Sequence, residues 1–214
     1  MRWLGAMAVG LGAMTIAATA HAADEPVGAA EPVGAADPWG VARDAPYVRF
    51  EADFTGSPGV WPNPSIGGDV AVVAGRPTLH ARVGVGAMGT PSFTLGREGK
   101  VASIVETSDL RVCTASHRGV HRLRLCGGMQ AGVMHLRWNG FAEPGRRDLP
   151  WLAVVGGGDY SLALGRVLDL HAGLGFGVPM VGQELVTRTR GGTDTQRSGV
   201  VFSTFRIGLG FRLG

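Results

Sequence analysis

The chain has 214 residues, enough for one domain of ordinary size, with 36 glycines, 17% charged residues and a formal net charge of +3. So small a positive excess, carried almost wholly by arginines dispersed along the chain, argues against a nucleic-acid surface. Beyond the N-terminus no uninterrupted apolar run reaches the ~20 residues of a membrane-spanning helix, and apolar residues recur instead in short alternating runs.

Met1-Arg2 is a basic start, residues 3–18 are apolar and rich in Gly and Ala, and Ala20-His21-Ala22 is a small-x-small cleavage site. The pattern predicts a secretory signal peptide over 1–22, with the processed chain beginning at Ala23. A permanent anchor helix is the competing reading, and the shortness of the segment and its processing site weigh against it. Residues 23–45 contain Glu25-Pro26-Val27-Gly28-Ala29-Ala30, repeated from Glu31 to Ala36. This low-complexity duplication predicts a flexible periplasmic linker; a cell-wall or partner-binding role would rest on composition alone. Residues 46–214 form the remaining domain.

In that domain strand 1 is predicted over about 46–56, where Val48, Phe50, Ala52 and Phe54 alternate with Tyr47, Arg49, Glu51 and Asp53. A loop with three prolines and Trp61 follows. Strand 2 (66–74) has weak parity at Val70-Ala71-Val72-Val73; Asp69 inside would put Val70 and Val72 outside. Strand 3 (78–88) sets Leu79, Ala81, Val83 and Val85 against His80, Arg82, Gly84 and Gly86, and residues 89–99 read as a loop. Strand 4 (100–114) places Ile104, Leu110 and Val112 opposite Thr107, Asp109, Arg111 and Cys113. After a turn at 116–119, strand 5 (120–138) opposes Leu123, Leu125, Met129, Ala131 and Val133 to Arg122, Arg124, Cys126, Gln130 and Gly132. Residues 139–148 read as a loop. Strand 6 (149–164) carries Gly156-Gly157-Gly158, a place for a bend. Gly165-Arg166 is a tight turn. Strand 7 (167–178) alternates Leu168, Leu170, Ala172, Leu174 and Phe176 with Asp169, His171 and glycines, and 179–198 read as the longest polar loop. The last strand (203–214) has Phe205, Ile207, Leu209, Phe211 and Leu213 on one face and Thr204, Arg206, Gly208, Gly210 and Arg212 on the other.

Eight strands with large apolar groups on one face and Arg or Gly on the other predict an all-β, eight-stranded, antiparallel, up-and-down transmembrane barrel. Connections alternate long and short, which fits external loops and short periplasmic turns if the N-terminus is periplasmic. The predicted lumen lining is Arg49, Glu51, Asp53, Arg82, Asp109, Arg111, Arg122, Arg124, Asp169, Arg206 and Arg212. A salt-bridged polar core is one reading of it, and a narrow, anion-preferring pore another. Cys113 and Cys126 flank the short turn at 116–119 as opposed residues, within disulfide range in an oxidising compartment. They lack the neighbours of a zinc site, and no metal or cofactor is expected.

His80, His135 and His171 are the histidines a lipid-modifying enzyme would recruit, but no nucleophile motif accompanies them, so no catalytic residue is assigned. The run from Gly84 to Gly89 matches a nucleotide loop weakly and reads better as strand glycine. A soluble periplasmic barrel or sandwich that turns the apolar faces inward and binds a small ligand remains open.

The chain resembles the small eight-stranded outer-membrane barrels of the OmpA/OmpX type, and barrel proteins of GC-rich Gram-negative bacteria such as myxobacteria. The resemblance rests on Leu110-Arg111-Val112-Cys113, on Leu123-Arg124-Leu125-Cys126-Gly127-Gly128, on Pro150-Trp151-Leu152, and on Gly208-Leu209-Gly210-Phe211-Arg212-Leu213. It implies an outer-membrane location and passage through periplasmic chaperones and the barrel-assembly machinery. Phe205, Gly208, Phe211 and Leu213 would form the assembly signal, with Leu213 where that signal usually has an aromatic residue. The expected partners are membrane lipid and those assembly factors, the expected state a monomer, and the expected role structural, surface-interacting or pore-like. For a surface binder, residues 179–198 would dominate contact.

Overall fold

Period-two alternation gives each strand one apolar and one polar face, and closing the sheet on itself satisfies every strand edge along the wall. The computed structural model describes residues 46–95, 99–140, 145–182, 184–189 and 192–213. The predicted signal peptide (1–22) and linker (23–45) lie outside the described residues.

The barrel strands are β1 (Tyr47–Ser57), β2 (Ser65–Gly75), β3 (Leu79–Leu95), β4 (Gly99–Arg118), β5 (His121–Asn139), β6 (Gly145–Ala163), β7 (Leu168–Pro179) and β10 (Phe202–Leu213). They close in the order β1-β10-β7-β6-β5-β4-β3-β2, each antiparallel to its neighbours. Val48, Phe50, Phe54, Val83, Val85, Leu110, Val112, Leu123, Leu125, Leu174 and Phe176 face outward and are exposed, while Arg49, Glu51, Asp53 and Arg82 face inward and are buried. The inverted, soluble arrangement is therefore not the one adopted.

Strand lengths fall into two classes. β1, β2, β7 and β10 have 11 or 12 residues, whereas β3 to β6 have 17 to 20. A strand crosses a bilayer in ~9–11 residues, so β3–β6 carry a four-stranded sheet well past that span. Of the segments expected as loops at 89–99 and 139–148, residues 89–95, 99, 139 and 145–148 are part of it, and 96–98 and 141–144 lie outside the described residues. β3 runs on to Leu95 through a register shift between Thr90 and Phe93, where Pro91 sits, and β6 begins at Gly145. The turn expected at 116–119 shortens likewise, because β4 continues to Arg118. Gly119 takes a φ of +58°, the left-handed geometry a two-residue turn needs. The ladders to β5 and β7 run through Gly156-Gly157-Gly158 without a register shift. The expected loop at 179–198 holds a hairpin of its own, β8 (Glu184–Thr189) paired with β9 (Gly192–Arg197).

The short connections after β2, β4 and β6, the start of β1 and the end of β10 share one end of the barrel. The projecting sheet and the β8–β9 connection are at the other.

Candidate functional site

The inner face divides into two layers. At the short-turn end it is ionic. Arg82 on β3 is the hub: its Nε donates to Glu51 Oε2 at 3.0 Å, its Nη1 to both oxygens of Asp109 at 2.9 and 2.8 Å, and its Nη2 to Asp53 at 3.1 Å and to Asp69. Arg124 on β5 grips both oxygens of Asp159 through Nε at 2.9 Å and reaches Glu51 through Nη1 at 2.6 Å. Arg49 on β1 donates to Asp169 at 2.6 Å and lies 3.3 Å from Glu51. His171 joins Arg49 to Asp53. Arg111 approaches Asp109 at 2.9 Å, and Arg206 approaches Asp159 at 3.7 Å. Nearest the short turns, Arg122 and Arg212 stand over the Tyr47 ring, 5.4 and 5.9 Å from its centroid.

All eleven residues read from the sequence as lumen lining are buried on this inner face. The network also uses Asp69, Asp159 and His171, which that reading omits. Buried charges persist only when paired, and multivalent pairing of planar guanidinium groups achieves it here. Room for it comes partly from glycine: a Cβ at Gly208 would strike Asp53, and one at Gly210 would strike Arg49. Glu51, Asp53 and His171 bring one ligand atom each into a cluster that could hold a cation. Arg49, Arg82 and Arg124 already supply the positive charge there, so the donor set reads as an ion-pair centre.

Toward the long end the same inward parity becomes apolar. Val101 and Val105 of β4, Met134 and Leu136 of β5, Trp151, Ala153 and Val155 of β6, Phe93 of β3 and Phe202 of β10 form one buried cluster. Val60 and Trp61, from the β1–β2 connection, fold onto it, and Trp61 stacks on Phe93 at 5.6 Å. Trp151 marks the seam between layers, donating its indole N–H to Gln130 at 3.0 Å. A cavity of about 30 Å³ lies at this seam, bordered by Thr107, Gln130 and Arg206. It has room for one or two waters.

Cys113 and Cys126 are directly opposed across β4 and β5, buried on the inner face and joined as a disulfide. The β10 residues expected to form an assembly signal fall on both faces: Phe205, Phe211 and Leu213 outward, Gly208 inward.

The three histidines do not converge. His80 is buried beside Tyr47 and Arg122, His171 lies in the ion network, and His135 is on the outer wall of the projecting sheet. There His135 donates to Asp148 at 2.8 Å, with Glu106 at 3.7 Å. The Asp148 hydrogen bond raises the His135 pKa above the ordinary histidine value, and the same bond holds Asp148 below the ordinary carboxylate value. Glu106, His135, Arg137, Arg146 and Asp148 make this outer wall polar, where further down the same strands it is apolar.

No family model matches the chain, and no curated protein matches it. Solved structures do. A major outer membrane protein from Thermus thermophilus aligns with a TM-score of 0.58 at 16% identity, over 79% of this chain and 100% of that one. Ail, the attachment invasion locus protein of Yersinia pestis, aligns at 0.45 and 11% identity over 80% of this chain and 100% of its own. Neisserial surface protein A aligns at 0.44 and 13% identity over 78% of this chain and 97% of its own. At such identity the likeness is one of fold: an all-β, closed barrel of eight antiparallel strands, the architecture of outer-membrane barrel proteins.

Proposed function

We propose that the chain is an integral outer-membrane barrel that is exported by its signal peptide, spans the membrane with its short-turn end in the periplasm, and projects the β3–β6 sheet outward as a structural or surface-interacting element. One observation carries this reading: the polarity exchange along single strands. Around the barrel's shorter span the wall is apolar outside and ionic inside, as a lipid setting demands. Along the projection it is polar outside and apolar inside, as water on the outside demands. A soluble barrel has no use for the first arrangement.

The filled interior favours a structural or surface role over conduction. An eight-stranded barrel leaves space only for side chains, and here an ion network and a Trp-Phe cluster occupy successive layers. The protein acts as a monomer, with membrane lipid around its wall. Phe205, Gly208, Phe211 and Leu213 at the C-terminal strand serve the assembly machinery. No residue is assigned to catalysis.

The test is refolding from urea into detergent micelles and into plain buffer, read by far-UV circular dichroism and by gel mobility before and after boiling. Strand signal only in detergent, with a heat-dependent mobility shift, is expected. Stable β structure in buffer alone would overturn the membrane reading. Folded protein in planar bilayers is expected to be silent, and discrete conductance steps would restore the pore. A deletion of 180–200 that leaves cell-surface binding intact would move the interaction from that connection to the β3–β6 sheet.

A further inference from the structure

Arg137 of β5 and Arg146 of β6 are directly opposed in the ladder, and both are exposed on the outer wall. Like charges directly opposite destabilise an antiparallel pair, so this placement asks for an anion. The nearby acids supply it only in part. Asp148 accepts from His135 at 2.8 Å and comes no nearer than 3.8 Å to Arg146. Glu106 is paired in register with Val133, further down the wall than Arg137, with the His135 ring between.

The two arginines border a groove of about 370 Å³. Ala102, in register with Arg137, keeps that end open, and Ile104 lines the groove beside His135. Val133 is the last outward apolar residue of β5, and on β4 the exposed Ile104 stands one outward position above Glu106, the residue in register with Val133. The groove is thus cationic at the end away from the belt and mixed toward it, where Ile104 stands beside His135 and Glu106.

We propose that this groove binds the phosphorylated headgroup of a membrane lipid, its phosphate bridging Arg137 and Arg146 and its apolar part leaving over Ile104. Paired guanidinium groups suit a phosphate's oxygens, and basic clusters beside a hydrocarbon boundary attract anionic lipid. The site rests on the membrane reading given above, and the two can fail separately.

The experiment takes the full chain, extracted from the membranes of an expression host, into phosphatidylcholine bilayers carrying trace spin-labelled lipid. Electron spin resonance then reads the motionally restricted fraction for phosphatidic acid against phosphatidylcholine. Two arginines at a surface predict a preference for phosphatidic acid on the order of tenfold, abolished in Arg137→Gln/Arg146→Gln and kept in Arg166→Gln, which alters a turn at the opposite end. The double variant relieves a like-charge pair, so it should fold at least as well, checked by heat-dependent gel mobility. Equal restriction of both lipids in the wild type overturns the site and leaves the barrel in the membrane. No restricted component for either lipid overturns both. Equal loss in Arg166→Gln would reduce the effect to net charge, and release of phosphatidic acid by inorganic phosphate would make the groove a site for the free ion; each overturns the lipid assignment.

Discussion

The belt and the projection are built from the same strands with the same inward parity and opposite chemistry. On β5 the outward Leu123, Leu125, Met129 and Val133 are apolar and the inward Arg122 and Arg124 charged. From Met134 onward the inward Met134 and Leu136 are apolar, and the outward His135 and Arg137 polar. β4 changes over between Asp109 and Val105, and β6 at Trp151. The backbone does nothing at these points: the β4–β5 and β5–β6 ladders continue unshifted. What changes is the solvent each face meets. Which side chains face a strand's interior is set by pleat, and which chemistry they need is set by the medium outside.

Because the two layers hold themselves together by different forces, they should break differently. The largest effect is expected at Arg82, which faces Glu51, Asp53, Asp69 and Asp109. Arg82→Met leaves buried carboxylates without their shared cation, and removing one partner of a buried pair costs about 3–5 kcal/mol. The urea midpoint of the folded gel band in micelles should fall accordingly; an unchanged midpoint would mean the ionic layer is hydrated in solution. In the apolar layer Leu136→Ala deletes a fully buried side chain and should cost about 3 kcal/mol by the same assay. Added salt should weaken the first layer's contribution little, because those charges are shielded from solvent, and the second layer's not at all.

This division also explains what the chain discloses before it folds. β1, β7 and β10 are plain in the sequence because one parity is apolar throughout and the other is charged, polar or Gly apart from Tyr47 at the start of β1. The eleven lumen residues follow from that parity. Residues 89–99 and 139–148 read as loops because the apolar phase reverses there, and because Pro, Gly and Arg at those positions also mark turns. Pro91 is tolerated at the register shift and Pro150 at a stretch of β6 that precedes its pairing with β7. Asp69 inside is the option that puts Val70 and Val72 outside, as the structure has them, but the uniform Val70-Ala71-Val72-Val73 leaves that parity weak, and Asp159 is hidden by three preceding glycines, which show no phase. The His135–Asp148 pair is out of reach as long as Asp148 reads as a loop residue. The phase reversal at Val133-Met134 is the signal that points to both the outer core and that pair.

The exchange of polarity can be tested on its own face. Leu174 is the most exposed apolar residue of the β7 wall, in register with Phe205 and Gly158 at mid-strand. Leu174→Arg places a charge at the lipid midplane, with an expected cost of ~2–4 kcal/mol. Ala102→Arg, on the outer wall of the projection, should cost no more than ~1 kcal/mol even with Arg137 directly opposite, since water is already there. Equal costs at the two positions would erase the distinction between belt and projection. The comparison needs only the urea midpoints of the two variants in the same micelle.

The smallest effect expected is the pH response of the outer wall. His135 gains an acceptor in Asp148 and a second carboxylate neighbour in Glu106, so its proton is held more tightly in the folded barrel than in the unfolded chain. A raised histidine pKa contributes stability that is complete below the ordinary histidine value of ~6.5 and is lost as pH rises through the folded value. The depressed Asp148 works at the other limit: its contribution is present above the ordinary carboxylate value and fades as pH falls through its lowered one. Both groups are solvent-exposed, so the response should be shallow and should shrink in high salt. An NMR titration of the His135 ring in micelles should give a midpoint above that of the unfolded chain, returning toward it in Asp148→Asn. A midpoint indifferent to Asp148→Asn would mean that the two side chains do not meet in solution and that the wall above the belt is held by the inner apolar cluster alone.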